Sequence, residues 1–202
     1  MAYRKLSSFI LCISLLILSC TPKDVDKEEA GLFAEFADAV IDTTLNRAEY
    51  KAKDIKILFV HAIATDPKKG RWSGTRLKTF FTTPKPYGNG WDRYGYNYYI
   101  DIDGKVFDIT PINSNTKLEF DELTYNASGY NSVSMAISLE GGCEYKNGKL
   151  LPKYNFTPIQ IQRLEELIAK YKKQIPNLQI LPHNAVNKGK ACPVLDIKKL
   201  KI

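Results

Sequence analysis

Residues 55–64, IKILFVHAIA, are the stretch on which the fold reading turns. The run is aliphatic and β-branched, broken by a single charge at Lys56 and bounded by polar sequence, which reads as a buried β-strand. His61 falls in its second half, and strand ends in α/β proteins commonly present functional groups. Working outward, SVSMAISL (133–140) reads as a second strand that Gly141-Gly142 ends, and 177–182 as a short third strand that delivers His183. GYNYYIDIDGKVFDI (95–109) reads as a hairpin with a two-residue Asp103-Gly104 turn and Tyr96 at the head of its first strand. Two helices complete the pattern. One spans 73–81 behind a Ser73 cap. The other opens with Thr157 as N-cap and Pro158 in the first turn, continues with Ile161, Leu164, Ile168, Tyr171 and Ile175 at spacings of three and four, and stops at Pro176. Residues 83–90, with two prolines and two glycines, read as loop, and 146–148 as a turn. The expected fold is α/β, a mixed central β-sheet flanked by helices.

The chain has only two histidines, His61 and His183. His183 lies in LPHNAVNKGKACPV (181–194), which also carries Lys190 and Cys192. Zinc is commonly held by imidazole nitrogen and thiolate, and a catalytic site uses three protein ligands and keeps a fourth position open. His61, His183 and Cys192 would supply such a set. Taken by themselves, the residues equally fit a satisfied core histidine and a buried thiol. Cys143 and Cys192 also allow a disulfide, which would remove the thiolate.

Of 202 residues, 44% are hydrophobic and 25% charged, which excludes wholesale disorder and allows one domain with a core plus extra segments. The net charge is +7, and no Lys/Arg-rich run interleaved with aromatics points to nucleic acid. Residues 1–19, with Arg4 and Lys5 ahead of a short apolar run, read as a signal peptide. The end of that run, LILSC, resembles a bacterial lipoprotein signal, which implies lipid attachment to Cys20 and a membrane-anchored lipoprotein of the cell envelope, facing the periplasm or the surface. Polar residues 20–29 then read as a tether, and 30–54 as a helical extension with an apolar stripe at Phe33, Phe36, Val40 and Ile41. The domain proper is placed at 55–202. Residues 110–131 are long and irregular for a connection, and they read as one wall of a substrate groove, with Tyr125, Tyr130 and Asn131 as candidate contacts.

Five segments in order, FVHAIAT, GYNYYIDIDGKV, NASGYNSVSMAISLEGG, NFTPIQIQRLEELI and LPHNAVNKGKACPVLD, together resemble the zinc-dependent N-acetylmuramoyl-L-alanine amidases of the phage-lysozyme and peptidoglycan recognition protein family. The resemblance runs from about residue 55 to 197. It implies one Zn2+ ion on His61, His183 and Cys192, with Tyr96 beside the scissile bond and Lys190 as an oxyanion-stabilising cation. It also implies a monomeric hydrolase that cuts the amide between N-acetylmuramic acid and L-alanine in peptidoglycan. The loop from His183 to Cys192 is one residue longer than in the compact phage enzymes, which leaves Lys188 as the alternative to Lys190. A non-catalytic peptidoglycan-binding protein, or an amidase for soluble muropeptides, is the competing expectation.

Overall fold

The computed structural model describes residues 46–113 and 116–202. In chain order the elements are β1 (Lys53–Asp54), β2 (Ile57–Ala62), α1 (Gly74–Thr82), β3 (Tyr98–Ile100), β4 (Val106–Asp108), β5 (Lys117–Leu118), β6 (Ser134–Leu139), β7 (Cys143–Lys146), β8 (Lys149–Pro152), α2 (Pro158–Gln174) and β9 (Gln179–Pro182). One-turn 3-10 segments lie at Phe120–Glu122, His183–Ala185 and Ile197–Lys199. The expected signal peptide, Cys20, the tether and most of the N-terminal helix fall outside the described residues. Where the expected helix enters them it is replaced by a turn. The Asn46 carbonyl accepts the N–H groups of Glu49 and Tyr50, and its side chain accepts that of Ala48. β1 then pairs antiparallel with β5.

The main sheet runs β4-β3-β6-β2-β9. β3, β6, β2 and β9 are mutually parallel, and β4 is an antiparallel edge on β3. This is the mixed α/β architecture expected. β2 lies between two parallel neighbours, and every one of its residues is buried, which is why its sequence is a continuous apolar run rather than an alternating one. Its side chains still divide by parity. Leu58, Val60 and Ala62 join Met135, Ile137 and Leu139 of β6 against Leu164, Ile168 and Tyr171 of α2. Ile57 and Phe59 face the other way, with Ala127 and Leu181. Leu77 and Phe81 of α1 pack with Tyr99 of β3 and with Ile109. On that second face β6 presents only Ser134, Ala136 and Ser138, small side chains that leave space above the sheet.

Two buried polar side chains tie the carboxyl end of the sheet together. Gln160 and Thr157 form a reciprocal capping box at the start of α2, and the Gln160 amide also donates to the carbonyls of Ile100 and Glu140. The helix is thereby bolted to the ends of β3 and β6. Glu140 is fully buried. Its carboxylate accepts Arg71 Nε, the Trp72 N–H and the Ile102 N–H, at 2.8–3.3 Å. The turn after β3 differs from expectation. β3 and β4 close at Ile100 and Val106, so the connection is five residues, not two. Asp101 accepts the N–H groups of Asp103 and Lys105, and Gly104 takes φ +78°. An Asp side chain that bonds its own loop makes the longer turn self-supporting.

Replacing Glu140 by alanine would leave Arg71 only its exposed Asp103 partner and take the acceptor from the Trp72 and Ile102 N–H groups. The expected cost is about 2–3 kcal/mol in urea unfolding, and a loss below about 1 kcal/mol would contradict the role given to this carboxylate.

Candidate metal centre and substrate groove

The site is built by strand register. β2 and β9 pair in parallel up to Val60 and Pro182, so the next residue of each, His61 and His183, emerges on the same face at the same edge. Their ring centroids are 4.4 Å apart. His61 is 1% and His183 7% exposed. The chain then makes a 3-10 turn and a Lys/Gly loop, and returns Cys192 beside β2. The return is fixed by backbone bonds. Ala62 N–H donates to Cys192 Sγ at 3.3 Å, and Asn184 N–H donates to the Cys192 carbonyl at 2.9 Å. Val194 closes the loop at φ +63°, an uncommon conformation for a β-branched residue.

One ligand atom from each of His61, His183 and Cys192 lies within 4.8 Å of the others, and His61 Nδ1 is 3.8 Å from Cys192 Sγ. A tetrahedral zinc with bonds of about 2.1 Å to nitrogen and about 2.3 Å to sulfur separates its ligands by roughly 3.5 Å. The set therefore needs only small side-chain adjustment. His61 Nδ1 faces Cys192 Sγ, and its buried Nε2 has no hydrogen-bond partner, so the thiol is the one hydrogen-bond contact of its ring nitrogens among the described residues. Cys143 and Cys192 are both free thiols, so no disulfide competes for the sulfur. Donor types and spacing fit a zinc ion.

Electrostatics point the same way. Burial holds His61 well below the usual histidine range, and the nearby His183 and Lys190 push it further down. Burial, helped by Lys190, lowers His183 to about 4. Both rings are thus neutral at neutral pH, the form that ligates metal. Without a metal, burial drives the Cys192 thiol up to about 11, against the opposing pull of the Ala62 N–H and Lys190. Tyr96 packs on His61 with ring centroids 5.2 Å apart. Burial, with the Cys192 charge beside it, raises its hydroxyl far above the usual phenol value, and contact with Ser138 opposes this only in part.

These residues form the floor of a groove of about 610 Å³. Trp91 and Tyr125 line it on one side, edge to face at 5.7 Å. Gly148, Lys149, Leu150 and Pro152 of the β7–β8 hairpin line the other, and Lys190 borders it from the ligand loop. Of the two lysines considered for that position, Lys190 is at the groove and Lys188 is not among its lining residues. The expected groove wall at 110–131 is corrected in part. Tyr125 and Asn126 line the groove, whereas Tyr130 and Asn131 stand behind it. Tyr130 packs on Phe59, and the Asn131 side chain is consumed by the N–H groups of Asn126 and Ala127. Sequence reading missed Trp91 and the hairpin. The Asn147-Gly148 dipeptide was the available signal for the hairpin.

A mixed sheet with a His/His/Cys set at its carboxyl edge defines the class as an α/β domain with a candidate metal centre. The N-acetylmuramoyl-L-alanine amidase family profile matches residues 51–194, and the chain belongs to that family. It is 34% identical over 110 residues to an endolysin of Klebsiella phage KP32 and 31% identical over 110 residues to an endolysin of Enterobacteria phage K11. Each alignment covers 54% of this chain and 65% of the relative, so the match spans just under two thirds of the relatives' length. Among solved structures, the Ph2119 endolysin from Thermus scotoductus bacteriophage Ph2119 superposes with TM-score 0.55 at 19% identity, over 79% of this chain and 90% of that one. The amidase LysC from Clostridium intestinale does so with TM-score 0.51 at 18% identity, over 71% and 81%. These two likenesses establish the fold. The sequence relatives are phage endolysins, which corrects the expectation of a membrane-anchored envelope lipoprotein. That expectation rested on residues 1–20 alone, and among the described residues no helix is long and apolar enough to cross a membrane.

Two predictions follow from the charge states. Zinc uptake at about pH 6, below the ionisation of a zinc-bound water at about 7, releases about one proton per ion, from Cys192 alone. Calorimetry in buffers of different ionisation enthalpy reads this number, and two or more protons would mean that the histidines are not neutral beforehand. Metal-free protein loses stability as pH falls from 6.5 towards about 4, because the unfolded chain then protonates His183 while the folded chain does not. Urea midpoints across that window should fall with acidification, and less steeply in His183→Gln.

Proposed function

We propose that the protein is a zinc-dependent hydrolase of peptidoglycan, cutting the amide between the lactyl group of N-acetylmuramic acid and L-alanine. The observation that carries this reading is the convergence of His61, His183 and Cys192 on the floor of a groove that Tyr96 and Lys190 border. Family membership supplies the substrate class.

His61, His183 and Cys192 would hold the zinc, which supplies Lewis acidity towards a carbonyl and acidifies water. The rest falls to the chain's own groups. In the reaction, a water oxygen joins the carbonyl carbon, the C–N bond breaks, and the leaving α-amine of L-alanine takes a proton. Negative charge develops on the amide oxygen on the way. The Lys190 ammonium is the cation at the groove edge nearest in sequence to the ligands and stabilises that charge. Tyr96 keeps its proton at neutral pH, since burial raises its hydroxyl well above the usual phenol range. It therefore acts as a fixed hydrogen-bond donor that orients the reacting groups, not as a base. Trp91 and Tyr125 offer ring faces to the substrate and narrow the access of bulk water.

The test is digestion of purified sacculi, with released material read by mass spectrometry. Zinc-loaded protein should release peptides that begin with free L-alanine. Chelation and Cys192→Ser should abolish release, and Lys190→Gln should lower kcat by about 10²–10³-fold with little change in KM. Binding to sacculi without release, under zinc-replete conditions, would replace this reading with a non-catalytic wall binder. Release from soluble muropeptides but not from sacculi would redirect it to small substrates.

A further inference from the structure

Two buried polar atoms beside the ligand set have no hydrogen-bond partner among the described residues, His61 Nε2 and Ser138 Oγ. Their residues are neighbours. His61 of β2 stands directly opposite Ser138 of β6 in the parallel register. Residues paired in this way project from the same face of the sheet, on strands about 5 Å apart. Ser138 is wholly buried and His61 is 1% exposed, so bulk water reaches neither. Unpaired polar atoms are uncommon in protein interiors, and each calls for an explanation. These two are complementary. A neutral imidazole carries one donor and one acceptor, and a hydroxyl both donates and accepts.

The surroundings narrow the pairing further. His61 Nδ1 faces Cys192 Sγ at 3.8 Å. With Nδ1 turned to the other ligand residues, the ring proton of the neutral imidazole falls to Nε2, which then needs an acceptor. On the far side of Ser138 the register partner in β3 is Tyr99, and its hydroxyl reaches away to the Trp72 carbonyl at 3.0 Å. Tyr96 lies over His61 with ring centroids 5.2 Å apart, and its phenol contacts Ser138. His61, Ser138 and Tyr96 therefore meet pairwise beneath the groove floor. Ser138 has a free hydroxyl at the centre of that meeting, with rotamers that move it without disturbing the strand.

We propose that Ser138 is a positioning residue of the metal centre. Its hydroxyl accepts the Nε2–H of His61 when Nδ1 holds the metal, and it gives its own proton to the Tyr96 oxygen. Metal-ligating histidines commonly hold their other ring N–H on an outer acceptor, which fixes the tautomer and the ring plane and raises the basicity of the ligating nitrogen. The same serine leaves Tyr96 with its own proton directed into the groove. Ser138 touches neither metal nor substrate in this account. The inference rests on the zinc reading above and adds to it the group that holds one ligand in place.

Zinc affinity and the imidazole proton test it together. Full-length protein is stripped of metal and titrated with zinc against a chromophoric chelator. Ser138→Ala should bind zinc about 10–100-fold more weakly than wild type. Ser138→Thr, which keeps a hydroxyl on the same carbon, should recover most of that loss. Metal-free Ser138→Ala should unfold at no lower urea concentration than metal-free wild type. The chain has only two histidines, so isotope-labelled histidine in the zinc-loaded protein reports each imidazole N–H proton by NMR. Ser138→Ala should remove or broaden the one on His61, and Tyr96→Phe should keep it at a shifted position. Equal zinc affinity in Ser138→Ala, or a loss matched by an equal loss of metal-free stability, overturns the inference. So does a His61 proton that survives in Ser138→Ala and disappears in Tyr96→Phe, because the tyrosine would then be the acceptor. Absence of zinc binding by wild type sinks the zinc reading and this inference with it, whereas tight binding that Ser138→Ala leaves unchanged sinks the inference alone.

Discussion

The parallel register between β2 and β9 is the constraint on which the site depends. Pairing through Val60 and Pro182 sends His61 and His183 out of the sheet together, on one face and at one edge. A slip of one residue would turn one imidazole to the opposite face. Burial enforces the register. Leu58 and Val60 are locked against α2, while Ile57 and Phe59 are locked into the opposite cluster, so neither parity can exchange without exposing core. The Cys192 sulfur depends on the same strand, because it receives the Ala62 N–H. Behind it, Gly142 comes so near Ala62 that an added Cβ would sit 2.6 Å from the Ala62 Cβ.

Around that edge the protein removes water before it supplies charge. Both histidines are driven neutral, the thiol is kept protonated and the Tyr96 phenol keeps its proton, in each case chiefly by burial. A cluster of neutral donors beside one ammonium, Lys190, is poised to accept a metal cation at the cost of the Cys192 proton. Trp91 and Tyr125 line one side of the groove, and Lys149 and Lys190 are the lysines among its described lining residues.

Much of this was legible in the sequence, for physical reasons that differ by element. β2 announced itself because a strand buried on both faces must be apolar throughout. α2 did so because Thr157, Pro158 and Gln160 form a capping signature ahead of a regular apolar stripe. The grouping of His61, His183 and Cys192 was legible because two histidines leave few choices, and the five ordered segments added the family. What failed was set by tertiary contacts. Tyr130 and Asn131 read as surface-reactive types in a long loop, yet one fills a gap over Phe59 and the other satisfies backbone N–H groups. The β7–β8 hairpin was reduced to its turn, because strands of four residues, CEYK and KLLP, are too short for a periodic pattern to stand out. Trp91 lies in a glycine-rich stretch, and tertiary contacts bring it to the groove: its N–H donates to the Phe81 carbonyl at 2.8 Å and its ring stacks on Phe81 at 8° between ring planes.

The central claim is that His61, His183 and Cys192 form a single zinc site. Zinc X-ray absorption on the metal-loaded full-length chain tests it most directly, because the scattering shell counts sulfur against nitrogen. The account predicts one zinc per chain with one sulfur at about 2.3 Å and two imidazole nitrogens at about 2.0–2.1 Å, the sulfur lost in Cys192→Ser. A shell of nitrogen and oxygen alone, or one with two sulfurs that draws in Cys143, would contradict it.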